Sequence, residues 1–508
     1  MSLQSPALAV VIPLICAFLT LLFGWWRKGL CYPTTLVALS LSTLASLDTL
    51  RVVITTGTIR YHLGNWDPPW GIEYVVDHLN AFVLAIISCI TFVVAVYSKK
   101  SVEQELPDKI IFFYTIYLLL VTGLLGIIVT GDMFNLYVFL EIASLAAYAL
   151  IAIGENGAPL ASFRYLIMGT IGACFYLLGV GYLYIATGSL NMADLSQLLP
   201  GIYHSKVIIV AFIFFLVGIG LKMALFPLHA WLPDAYTYAP STVSALIAPT
   251  MTKVGAYVMI RIFFTVFKPY FSVELIPVTT ILSWIAAFAM IAGSIFAIAQ
   301  SDLKRMLSYS VVAQIGYIAL GIGLANRAGL TGAVLHILNE VFTKGCLFSV
   351  AGAIVYKMGI RDIYQFRHLY RKMPFTMGAF VMGAFSMIGI PPTLGFFSKL
   401  YLILGSIDAR QWVFVAVILI SSILNVIYFF KVVETAYFEP RDLATKKEKE
   451  ILKVYPHNGG GREEIAMDEV PLSMLIPILI MGAGILLLGI FSIKIISTVI
   501  QFAIPSGI

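Results

Sequence analysis

Three residues that can carry a proton, His336, Glu340 and Lys344, recur at every fourth position of the segment HILNEVFTKG. On a helix this spacing stacks them along one face, with Asn339 and Thr343 beside them. Other ionisable residues stand singly inside apolar stretches: Glu141 in LYVFLEIASLAAYAL, Lys222 in GIGLKMALFP, Lys253 in IAPTMTKVGAYVMI and Lys399 in GIPPTLGFFSKLYLI. A charge at the centre of a membrane helix costs about 2.5–3.5 kcal/mol on insertion scales, so each needs a reason. A lone buried histidine is usually structural. Three titratable groups on consecutive turns, with four more on other segments, instead suit a proton relay. Burial disfavours a lysine's charged form and a nearby carboxylate favours it, so such a lysine can load and release a proton as its partner moves. Lys253 follows Pro249 and Thr250, and that proline frees the carbonyl of Ala245. Lys253 is therefore either a tether to such groups or part of the series, and the series favours the second. Lys431 and Lys494 lie near helix ends, where a lysine can snorkel to the headgroups.

The elements that position these residues follow from composition. The 508 residues are 60% hydrophobic and 11% charged, where a soluble domain is about a quarter charged. Apolar runs of about 20 residues, enough to cross a hydrocarbon core, succeed one another from Ala7 to Val499. No short-period alternation of a transmembrane barrel is present. The fold class is all-α integral membrane. The net charge of +6 comes from basic residues scattered over short loops, which reads as topology and excludes nucleic acid as a partner. Cys16, Cys31, Cys89, Cys174 and Cys346 are isolated, so no iron–sulfur cluster, zinc, disulfide framework or other cofactor is expected.

Fourteen helices are expected near 5–25, 32–55, 78–98, 109–129, 132–153, 161–187, 206–236, 242–267, 274–300, 305–323, 330–356, 374–406, 411–437 and 471–500. The first has no basic residue ahead of it and Arg27 and Lys28 after it, which reads as a retained helix. Lys and Arg concentrate in the odd-numbered loops, placing those in the cytoplasm and both termini outside a cell membrane. The seventh and twelfth segments each carry prolines beside a lysine, Pro227 near Lys222 and Pro391–Pro392 near Lys399, and should break there. Two broken helices five apart suggest two inverted five-helix repeats, 109–267 and 274–437; two ordinary kinks are the alternative. Residues 1–108 then form an N-terminal three-helix segment, 438–470 a cytoplasmic loop and 471–508 a C-terminal helix. The loop, with KKEKE and HNGGGREE, reads as a solvated strand of chain, a docking strip for a partner being the alternative.

From Lys222 to Arg261 the sequence KMALFPLHAWLPDAYTYAPSTVSALIAPTMTKVGAYVMIR resembles the antiporter-like proton-pumping subunits of respiratory complex I and their relatives. Those relatives include the multisubunit Na+/H+ antiporters and the archaeal membrane-bound hydrogenases. SDLKRMLSYSVVAQIGYI at 301–318, the spacing of His336 and Lys344, and IPPTLGFFSK at 390–399 extend the resemblance over nearly the whole chain. It implies that Glu141 pairs with Lys222, that Lys253 is the central lysine of a first half-channel, that His336 and Lys344 form a central relay, and that Lys399 ends a second half-channel. Together these would form a hydrated axis in the membrane plane. Three positions depart from the pattern. Tyr238 stands where an acidic residue is common and Gln314 where a histidine is common. Glu340 replaces a second histidine of some members and is expected to bias Lys344 toward its protonated form.

With one helix after the thirteenth, the chain resembles the fourteen-helix members, most of all the D-type antiporter subunit and its counterpart in archaeal hydrogenase or sulfur-reducing complexes. The resemblance implies a proton-translocating subunit of a redox-driven complex of the membrane-bound hydrogenase type or a related one. Its partners would be other membrane subunits, further antiporter-like subunits and a redox module, with protons, and in some relatives Na+, as cargo. A D-type subunit of a multisubunit Na+/H+ antiporter is the alternative within the family. A stand-alone transporter of an organic solute is the alternative outside it. Against the latter, the ionisable groups are spread over many helices and do not form one compact pocket.

Overall fold

In hydrocarbon a backbone N–H or C=O meets no water, so each apolar run must satisfy itself as a helix. The computed structural model describes residues 4–438, 467–505 and 508. In chain order its helices are α1 (Ser5–Trp26), α2 (Cys31–Thr56), α3 (His78–Glu105), α4 (Ile110–Val129), α5 (Met133–Ala152), α6 (Ala158–Thr187), α7 (Met192–Leu198), α8 (Lys206–Lys222), α9 (Leu232–Tyr238) and α10 (Ser241–Arg261). They continue as α11 (Val278–Ile298), α12 (Leu303–Leu324), α13 (Arg327–Met358), α14 (Leu369–Lys372), α15 (Pro374–Ile388), α16 (Leu394–Asp408), α17 (Trp412–Tyr437) and α18 (Leu472–Ile490). Among the described residues twelve helices are long and apolar enough to cross a membrane. Two further apolar segments are each delivered in two pieces, α8 with α9 and α15 with α16. The chain is an all-α integral membrane protein. Most of the 438–470 loop, residues 439–466, lies outside the described residues.

The two interruptions fall where the prolines dictate. Helix α8 stops at Lys222, and residues 223–231, with Pro227, separate it from α9. Helix α15 stops at Ile388, Gly389 follows with φ of 93°, a left-handed turn that glycine adopts without penalty, and Pro391 and Pro392 precede α16. The second break is drawn tight: Gly395 donates its N–H to Ser386 Oγ at 3.1 Å, and any Cβ on Gly395 would run into the Ser386 carbonyl.

Helix starts are set by short polar side chains that accept the first free N–H groups. Asp77 caps α3 by accepting from Leu79 and Asn80, whose own side chain closes the capping box. Asp132, Asp302 and Asn326 cap α5, α12 and α13. Two of these caps sit in identical backbone clasps. Met133 donates to the Leu190 carbonyl and Met192 to that of Gly131, both at 2.8 Å, while Leu303 donates to Arg361 at 3.0 Å and Ile363 to Ser301 at 2.8 Å. A small antiparallel hairpin, β1 (Ile59–His62) with β2 (Glu73–Val76), joins α2 to α3. Four-residue strands around a Gly- and Pro-containing turn are too short to register against apolar runs several times longer, and they carry no signal in the sequence.

Helices α10, α12 and α13 are buried along almost their whole length. The outer helices turn Phe18, Trp25, Phe163, Trp284 and Ile423 outward, as surfaces facing lipid or neighbouring subunits must. The ionisable residues therefore sit on the inner helices, or at the inner faces of outer ones.

Candidate functional site: a buried line of ionisable side chains

Glu141 lies on α5 with Ser144 three residues on, so both face the end of α8. There Lys222 Nζ donates to Ser144 Oγ at 2.7 Å and to Glu141 Oε1 at 3.3 Å. Lys222 is the last residue of α8, where unpaired carbonyls favour a cation, and the break keeps the chain beyond from continuing the helix over it. The indole of Trp231 donates to the carbonyl of Leu221 at 3.1 Å.

Deeper in, Lys253 of α10 and Glu340 of α13 meet with Nζ to Oε2 at 3.5 Å, and neither side chain has any exposed surface. Lys253 also donates to the Ala248 carbonyl at 2.9 Å, and not to that of Ala245, the group freed by Pro249. Sequence spacing pointed Glu340 along its own helix toward Lys344; the structure gives it an ion pair across to α10. Periodicity along one helix fixes a face but not the helix packed against it. A fully buried ion pair adds little net stability, because desolvation consumes most of the Coulombic gain, so its presence asks for another reason.

His336 bridges α12 and α16: Nε2 meets Gln314 Oε1 and Nδ1 meets Ser398 Oγ, both at 2.9 Å. The Tyr317 ring stacks on the imidazole with centroids 5.3 Å apart. Lys344 Nζ donates to Ser310 Oγ of α12 at 2.6 Å. Lys399 reaches back across the break to donate to the last carbonyls of α15, Met387 at 2.7 Å and Ile388 at 3.0 Å, and to Ser422 Oγ at 3.0 Å. Its ammonium also lies 4.8 Å from the Tyr317 ring centre. Ser386 donates to Asn339 Oδ1 at 2.6 Å, tying the broken helix to the polar face of α13. The structure thus gathers Lys253, His336, Glu340, Lys344 and Lys399 around α13 and places Glu141 with Lys222 as a separate pair on α5 and α8.

At the departures, Gln314 stands in contact with His336. Tyr238 lines a cavity of about 300 Å³ with Arg164, Asp234 and Arg305. Asp234, four residues earlier on the same helix, pairs with Arg164 at 2.7 Å and Arg305 at 3.4 Å. Lys431 donates to the Gln300 carbonyl at 3.0 Å. Among the described residues no group of three or more His, Cys, Asp or Glu is placed to hold a metal ion.

Sequence reasoning passed over two polar clusters. Buried Lys304 and half-buried Glu105 sat too close to helix ends to stand out from topology signals. In the other, Arg261 grips Asp77, Nη1 to Oδ2 at 2.7 Å and Nη2 to Oδ1 at 2.9 Å, and also donates to Asn80 Oδ1. Asn80 donates in turn to the Tyr257 hydroxyl at 2.9 Å and the Ile128 carbonyl at 2.7 Å. The capping-box spacing of Asp77 and Asn80 was the available signal. Burial works to raise the Asp77 carboxyl, but the Arg261 guanidinium and the N–H groups of Asn80 and Leu79 hold it below its ordinary value. A lowered carboxyl contributes stability above its unfolded value of about 4 and loses it as pH falls through the folded one. Arg261→Ala should therefore destabilise the protein by about 3 kcal/mol at neutral pH, read as a lower melting temperature, and the deficit should shrink toward pH 3.

Comparison with known proteins places the chain among subunits of membrane complexes. The chain is 47% identical over 509 residues to NADH-quinone oxidoreductase subunit N of Desulforudis audaxviator, covering 99% of each. It is 33% identical to the D-type subunit of a Na(+)/H(+) antiporter from Alkalihalophilus pseudofirmus, over 76% of this chain and 77% of that one. Among solved structures it superposes with a TM-score of 0.87 on a chain of the membrane-bound sulfane sulfur reductase, an archaeal respiratory membrane complex, at 30% identity, covering 98% and 96% of the two. A chain of the Mrp complex from Dietzia sp. matches with a TM-score of 0.85 at 25% identity, covering 98% and 97%. Residues 130–425, which carry every ionisable group of the line from Glu141 to Lys399, match the family described as NADH:quinone oxidoreductase/Mrp antiporter, TM, and it is to this family that the chain belongs.

Proposed function

We propose that the protein is the proton-translocating, antiporter-like subunit of a multisubunit ion-pumping complex in the cell membrane, with both termini outside. The observation that carries this reading is the run of buried ionisable side chains through the middle of the fold, above all the Lys253–Glu340 pair, which has no exposed surface and no evident structural return. In this reading Glu141 and Lys222 form the entry pair of a first half-channel, Lys253, Glu340, His336 and Lys344 pass the proton inward, and Lys399 ends the second half-channel. Two inverted repeats, 109–267 and 274–437, are supported by the paired clasps at Asp132 and Asp302. They join corresponding helices in the same way, one clasp on the side of the even loops and the other on the side of the odd ones.

Redox drive is favoured by the 47% identity to a subunit named for NADH-quinone oxidoreduction and by the likeness to a sulfane sulfur reductase complex. The electron chemistry belongs to partner subunits, a redox module and further antiporter-like chains among them. Exchange against Na+, as a D-type subunit, is the second reading, supported by the antiporter relative. Purifying the protein from its native membrane and identifying what comes with it decides between them. We expect several membrane subunits together with a redox module. In liposomes the isolated chain should be inert; sustained solute transport by it alone would overturn the proposal.

A further inference from the structure

A relay buried this deeply needs an opening to water. Lys304 is the second residue of α12, where a lysine normally extends to the headgroups, yet it is 1% exposed. Its ammonium turns inward to donate to the Ala239 carbonyl, just past α9, at 2.6 Å. The charged groups facing it are Glu105 at the end of α3, Asp302 at the cap of α12 and Arg361 beyond α13.

Glu105 Oε2 accepts the N–H of Ser241, the first residue of α10, at 2.8 Å, while its Oε1 is buried with no hydrogen-bond partner among the described residues. The hydroxyls of Ser101, Thr242 and Ser349 are likewise buried and unpartnered. These oxygens belong to three helices that converge. The Tyr97 hydroxyl of α3 donates to the Ser349 carbonyl of α13 at 3.1 Å. A Cβ on Gly352 would strike that hydroxyl and come within 2.9 Å of Ser241 Cβ. Buried oxygens of this kind are where proteins hold ordered water. Helix α12 itself leads inward from Lys304: Ser310, six residues and about 9 Å of rise further on, holds Lys344, and Gln314 one turn beyond holds His336.

We propose that Lys304 and Glu105 form the port through which protons pass between the odd-loop aqueous side and Lys344. This rests on the proton-path reading above. A proton leaves the Lys304 ammonium, moves through water held by the Ser101, Thr242 and Ser349 hydroxyls, and protonates the neutral amine of Lys344. Lys304 then takes a proton from bulk water by way of Glu105, and discharge runs the same steps in reverse.

The test uses the intact complex in inverted membrane vesicles, with proton movement followed by a pH-sensitive dye and driven by NADH or by an imposed Na+ gradient, whichever energises the wild type. Lys304→Arg keeps the charge and the donor to Ala239 but holds its proton at all accessible pH values. The expected result is normal assembly with proton movement below roughly a tenth of wild type, a loss worth about 1.4 kcal/mol or more in the barrier. A structural tether is rescued by arginine, so normal pumping in Lys304→Arg overturns the port. Should that variant fail to assemble, Glu105→Gln decides instead, and an unchanged rate and pH profile overturns the port. Lys344→Met, run in parallel, separates the two levels. If it abolishes pumping while the port variants do not, only the port falls; if it too pumps normally, the proton path falls with it.

Discussion

Glu141→Gln is expected to leave the complex assembled while cutting its proton movement roughly tenfold or more, the equivalent of a charge-assisted hydrogen bond worth about 1.5–3 kcal/mol. Glutamine keeps the size of the side chain and an acceptor for Lys222 Nζ, which also retains Ser144 Oγ at 2.7 Å, so the packing of α5 against α8 survives. What disappears is the negative charge 3.3 Å from a buried ammonium. If Glu141 and Lys222 act as a switch, opening the pair removes the compensation for the lysine's charge and drives its proton inward toward Lys253. With no charge there is nothing to open. A structural salt bridge predicts the opposite division: less complex, or a lower melting temperature, with whatever assembles pumping at the normal rate. Assembly and pumping must both be measured in this variant, and normal pumping would sink the switch.

What could be read from the sequence was governed by contrast. A glutamate or lysine in the middle of an apolar run stands out, so Glu141, Lys222, Lys253, Lys344 and Lys399 were legible, and proline beside two of them located both interruptions. The face shared by His336, Glu340 and Lys344 was legible because helical period is a local property. The pairing of Glu340 with Lys253, 87 positions earlier, depends on which helix packs against that face and has no local signature. Lys304 and Glu105 failed the contrast test for another reason. At a helix end a charged residue is ordinarily a topology signal, and only the direction of the side chain, inward to the Ala239 carbonyl and to Ser241, distinguishes these two from their exposed neighbours. The hairpin was hidden by its length, and Arg261 because its partner, Asp77, sits at the far end of another helix.

The largest combined effect is expected at Lys253 and Glu340. Removing the carboxylate alone, as Glu340→Gln, leaves the Lys253 ammonium with no exposed surface and, among the described residues, only the Ala248 carbonyl as a hydrogen-bond partner. An unpaired buried charge costs about 3 kcal/mol or more, so this variant should melt lower, and it should not pump, because the carboxylate that draws a proton onto Lys253 is gone. Lys253→Met in the Glu340→Gln background removes the second charge and fills its space with an apolar chain of similar length. Replacing both members of a buried ion pair is commonly neutral for stability, so the double variant should regain most of the lost melting temperature. Pumping should not return, since neither side chain can then hold a proton. This opposite behaviour of stability and transport is the signature of a pair kept for its chemistry. A pair kept for structure predicts that the double variant recovers both, and a double variant that pumps at the wild-type rate would remove Lys253 and Glu340 from the path.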